Sequence, residues 1–130
     1  MSNSLFPTAK ESFLKGEIDL ATDNIKVVLL SATYTYSAAH QFLSSLSGTV
    51  ATSGNLASKT TTSGVFDAAD VTFTAVTGSA VTQIVIYQDT GVAGTSRLIA
   101  FFDTGVTGLP VTPNGGDISI TWSGSGIFAL

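Results

Sequence analysis

The chain has 130 residues, of which 44 % are hydrophobic and only 11 % charged, and its mean hydropathy is +0.41. That length suits one domain with its own core, spanning residues 1–130, and the apolar excess suits a surface that other protein covers. A net charge of -4 with five basic residues leaves no basic patch for nucleic-acid phosphates, and the absence of cysteine excludes disulfides and thiolate metal sites.

The first residues, MSNSLFPTAKESFLKGE, contain neither a basic leader nor a continuous apolar h-region, and no run reaches the length of a membrane span. The expectation is synthesis in the cytoplasm without export and no membrane partner. Leu5 and Phe6 form an apolar arm over residues 1–7, which either staples the following helix or docks on a neighbouring chain. Thr8 with Glu11 three residues on has capping-box spacing, and Gly16 is a stop, so a helix is predicted over 8–16 with Phe13 and Leu14 inward.

Ile18 and Leu20 suggest a short strand, Asp23-Asn24 a turn, and IKVVLL at 25–30 a strong strand covered on both faces. Tyr34 and Tyr36 extend it, and Ser37 caps a predicted helix through Leu46 whose inner face carries Phe42, Leu43 and Leu46. The Ser/Thr/Gly-rich stretch 48–64 reads as a loop followed by a short strand near 57–62. Residues 71–76, VTFTAV, alternate, with Val71, Phe73 and Ala75 inward and Thr72 and Thr74 outward.

The centre of the sheet is predicted at 82–103, where Ile84–Tyr87 and Leu98–Phe102 form two continuous apolar runs joined by a glycine-punctuated loop. After the turn signals of 103–117, Ile118, Ile120 and Trp122 share one face, and the tail 124–130, containing Ile127, Phe128 and Leu130, completes an edge strand or inserts into a partner. Strands recurring at such spacing predict an all-β fold, a β-sandwich of jelly-roll type with one or two short helices.

No constellation for catalysis emerges. His40 is the only histidine, which rules out a histidine-cluster metal site within one chain, and its neighbourhood AAHQF has no nucleophile elbow. Asp67 and Asp70 are the most plausible calcium pair, but turns recruit aspartate for its bonds to backbone amides, which is the weightier reading. Trp122 reads as core more than as a ligand platform. The expectation is therefore no enzyme, no catalytic residue, no metal and no cofactor.

Several segments together resemble a family of small structural proteins of tailed bacteriophages. They are KESFLKGEIDLATDNIKVVLL, HQFLSSL, GVFDAADVTFTAVTG, IVIYQDTG, LIAFFDTGVTGLPVTPNGGDISITW and the terminal IFAL, with LPVTPNGGDI the most specific. The chain departs from the family pattern in 48–64 and in Ser123-Gly124-Ser125-Gly126. The resemblance implies a capsid decoration or cement protein on the outside of a virion, binding the major capsid protein and copies of itself as a homo-oligomer. Leu5, Phe6, Ile127, Phe128 and Leu130 are the candidate contact residues. The alternatives are a tail or head-to-tail component, or a carbohydrate-binding attachment module using Tyr34 or Tyr36.

Overall fold

The computed structural model describes residues 3–104, 106–122, 124 and 126–129. Its elements run β1 (Ser4–Leu5), α1 (Pro7–Leu14), β2 (Ile25–Leu30), β3 (Thr49–Thr52), β4 (Val65–Phe66), β5 (Val71–Phe73), β6 (Gln83–Gln88), β7 (Leu98–Phe102), β8 (Ile118–Ile120) and β9 (Phe128–Ala129). Five strands form one sheet in the order β1-β7-β6-β2-β3, while β4-β9 and β5-β8 form two small sheets. All pairs are antiparallel. The all-β expectation holds, with a single α-helix among the described residues. This strand order does not establish the jelly-roll connectivity.

The continuous apolar runs sit where they were expected. β6 is the central strand, bonded to β2 on one side and β7 on the other, and all six of its residues are buried. Val85 pairs with Val28 and Phe101, whereas Ile84 pairs with Leu29 and Ile86 with Val27. Since neighbours across a ladder share a face and all seven of these side chains are buried, the centre of the sheet is dry on both sides. One face is covered by aromatics: the rings of Tyr34 and Tyr36 lie 6.1 and 5.0 Å from that of Phe101, and Phe6 lies 5.1 Å from Tyr36. Gln83 ties this cover down, its Nε2 donating to Ser31 O and Tyr34 O at 2.7 Å each. Phe66, Val71, Phe73, Ile118 and Ile120 bring the two small sheets into the same core.

Several expectations are corrected. The helix starts at Pro7, not at a Thr8 cap; Phe6 precedes it in extended conformation without a side-chain cap, and Thr8 Oγ1 donates instead to His40 O. Proline suits the first helical position because its missing N–H would have had no partner there. Gly16 does stop the helix: at φ 73° it lets its own N–H reach Phe13 O and that of Glu17 reach Ser12 O. Ala9 and Ser12 face inward and Phe13 is half-buried, but Leu14 is 90 % exposed.

Ile18 and Leu20 are buried without forming a strand, held in a turn where Asp19 Oδ1 accepts from the N–H groups of Ala21 and Thr22. The expected helix over 37–46 is absent. Only Leu43–Ser45 make a 3-10 turn, and the chain before it is extended because it bonds to the start of β7: Leu98 N donates to Gln41 O, Leu43 N to Ser96 O, and Phe42 bridges Arg97. The strand of the 48–64 stretch is β3, not 57–62; of the latter only Thr60 makes a bridge, to Asp67. In 71–76 the alternation breaks at Ala75, whose φ of 51° turns it outward and Val76 inward. Its N–H is held by Asp117 Oδ1 at 3.0 Å.

Candidate interaction surface

The sequence-predicted contact residues divide between interior and rim. Leu5 is half-buried in β1, paired with Ala100 of β7. Phe6 is fully buried, which removes its side chain as a docking element and makes it the anchor of α1. Its N–H donates to Ile99 O at 3.0 Å, and its carbonyl accepts from Ala9 and Lys10. Phe128 is half-buried in β9, with its ring 5.3 Å from Phe66, and Ile127 N donates to Phe66 O at 2.7 Å. Leu130 lies outside the described residues.

The tail reaches β4 because of Gly126. Its φ is 106°, and a Cβ there would collide with Val65 Cγ1, so the strand can lie this close only without a side chain at that position.

Between the end of α1, the 18–21 turn and the β4-β9 pair lies an open groove of about 330 Å³. Phe13, Ile18, Leu20, Val65, Phe66 and Phe128 supply its apolar lining. Leu14, next to Phe13 in the chain, is one of two large hydrophobic side chains exposed among the described residues; the other is Val92, at 60 %. The sequence expectation missed both. Leu14 obeys the apolar pattern of the helix, and only the packing of Ala9 and Ser12 against the body shows which face is turned in.

The candidate polar and aromatic residues are engaged in structure. His40 Nδ1 lies 2.8 Å from Tyr34 Oη. Burial pushes the Tyr34 hydroxyl up to about 12, with the nearby Tyr36 adding to the effect. Tyr34 is buried and Tyr36 packs against the core, so neither stands free as a sugar-stacking platform. Asp67 Oδ1 accepts from Ala68 N and Asp70 Oδ1 from Trp122 N, both at 2.9 Å. Each thus serves a turn or a bridge. Trp122 is half-buried and donates from Nε1 to Ala69 O at 3.1 Å.

In the 89–97 loop, Asp89 is held below the usual carboxylate range, first by the N–H of Gly91 and then by Lys26, whose Nζ lies 3.1 Å away. Among the described residues no group of three or more His, Cys, Asp or Glu side chains is arranged to hold a metal ion. No described helix is long and apolar enough to cross a membrane.

No protein-family model matches the chain, and no curated protein matches it significantly.

Proposed function

We propose that this chain is a non-enzymatic virion protein of a tailed bacteriophage, a capsid decoration or cement protein that stabilises the head by binding the major capsid protein and copies of itself. The observation that carries the reading is the open groove at the end of α1. In a chain with so few charges, Phe13, Ile18, Leu20, Val65, Phe66 and Phe128 leave an open, mainly apolar groove, and Leu14, next to Phe13 in sequence, is 90 % exposed; an apolar concavity of this kind suits a surface that meets other protein. The resemblance of the LPVTPNGGDI segment and its companions to phage structural proteins supplies the kind of partner. Adhesion of this sort needs shape and apolar contact more than a reactive group, which fits a protein in which His40 is paired with Tyr34 and Asp67 and Asp70 accept from backbone N–H groups.

The reading places the protein on the capsid surface after synthesis in the host cytoplasm. Its test is quantitative protein detection in gradient-purified particles, paired with imaging of the head. Many copies per head, and heads that rupture at lower temperature when the protein is missing, are the expected results. Leu14→Asp is expected to lower occupancy on heads without changing the melting temperature of the free protein. A stable monomer absent from particles refutes the proposal.

A further inference from the structure

Asn114 and Gly115 are the one asparagine-glycine pair in the chain; Asn3, Asn24 and Asn55 precede Ser4, Ile25 and Leu56. The pair sits in the turn that leads into β8, where residues 114–117 are all exposed. Gly115 has a φ of 87° and open space where a Cβ would stand, so no side chain of its own separates its backbone nitrogen from the Asn114 carboxamide.

Two hydrogen bonds set the chemistry of this turn. Gly116 N donates to Asn114 Oδ1 at 2.9 Å, an Asx turn that folds the carboxamide back over the Gly115 peptide. That bond draws electrons from the carboxamide, leaving Cγ more electrophilic, and it is in place to hold the oxygen as negative charge grows on it. The nucleophile, by contrast, is withheld. Gly115 N donates to Val76 O at 2.8 Å, and a backbone amide attacks only after its proton is lost, which requires the same release that lets it exchange with water.

The turn is clasped to the segment that follows β5. Val76 N donates to Gly116 O and Ala75 N to Asp117 Oδ1, both at 3.0 Å. Val76 is buried in the core. The clasp therefore ties an exposed turn to the interior, just beyond the Phe73–Ile118 pair at the end of the β5-β8 ladder.

We propose that Asn114 is a site of spontaneous succinimide formation and isoaspartate linkage, gated by release of Gly115 from Val76. The Gly115 nitrogen, having lost its proton to hydroxide, bonds to Asn114 Cγ; the Cγ–Nδ2 bond breaks, the leaving nitrogen takes a proton from water, and ammonia departs. Water opening the ring at Cγ gives aspartate. Opening at the main-chain carbonyl leaves the chain running through Cγ, with one extra backbone carbon and a free carboxylate. That extra carbon moves Gly115 and Gly116 out of register with Val76, so the isoaspartyl product undoes the clasp. Water and hydroxide are the only co-reactants, and the site does not depend on shell binding.

The test ages the full chain in mildly alkaline buffer, folded and, in parallel, unfolded in urea, and reads conversion at each asparagine by peptide mapping. Asn114 is expected to convert first in both. Folding is expected to slow it by about tenfold or more, matching within about fivefold the protection of the Gly115 amide against hydrogen exchange measured by NMR. Conversion led by another asparagine overturns the site. A slowing of less than about tenfold, or a larger mismatch with Gly115 protection in either direction, overturns the gate. The isoaspartyl chain, separated by its added charge, is expected to exchange about tenfold faster in 74–76, whereas Asn114→Asp, which carries the charge on an ordinary backbone, is expected to exchange like wild type. Unchanged exchange in the isoaspartyl chain, or equal acceleration in Asn114→Asp, overturns the undoing of the clasp by the inserted carbon.

Discussion

Replacing Phe6 by alanine separates a core anchor from a docking arm. The ring is fully buried and packs 5.1 Å from Tyr36, which in turn stacks on Phe101 of the sheet. Deleting it opens a cavity between α1 and β7, and such Phe→Ala changes cost about 3–5 kcal/mol. A domain of this size has a total stability on the order of 7–20 kcal/mol, so the loss is a large fraction of the whole. It corresponds to a fall in melting temperature of roughly 10–20 °C. Urea titration followed by circular dichroism provides the assay, with the midpoint expected to fall and the slope to stay constant. Leu14→Ala, made in parallel at the exposed end of the same helix, is expected to change stability by less than about 0.5 kcal/mol. A Phe6→Ala protein within about 1 kcal/mol of wild type refutes the placement of this ring in the core.

Gln83→Leu leaves the carbonyls of Ser31 and Tyr34 without their buried donor, and a loss of about 1–3 kcal/mol is expected in the same titration. Gly126→Ala forces a Cβ toward Val65 Cγ1 at a φ of 106°; faster amide exchange at Ile127 and Phe128 is expected, and unchanged exchange would show that the tail does not depend on this contact. In alkaline ultraviolet titration, Tyr34 is expected to ionise at about 12. Because its folded pKa lies above the unfolded value near 10, the stability it contributes is complete below that pH and is lost as pH rises toward 12. A Tyr34 that ionises at the unfolded value near 10 refutes its burial.

The parts of the fold legible in the sequence are those where one physical requirement dominates. Strands dry on both faces must be largely apolar, and β2, β6 and β7 read so, interrupted only by Lys26 and by Gln83 and Gln88 at the ends of β6. The 37–46 segment carries Phe42, Leu43 and Leu46 at helical spacing, yet an extended path wins because the backbone of Gln41 and Leu43 bonds to Leu98 and Ser96. Those partners are more than fifty residues away, beyond any local pattern. Ala75 defeats a clean alternation through its backbone conformation, for which alanine gives no signal.

The interaction features were the least legible. Phe6 and Leu14 are both apolar residues at the margins of one short helix, and only tertiary packing decides that the first is interior and the second exposed.

The pairing of β2 with β6 also bears on how the protein is made. Ile25 meets Gln88 and Leu30 meets Gln83, so a ribosome must deliver about sixty further residues before IKVVLL finds its neighbour. At about 5–20 residues per second, that greasy segment waits several seconds with only β3 to pair with. Slowing translation through 31–82 is therefore expected to lengthen the exposure of that segment's unpaired edge and to raise aggregation of the nascent chain.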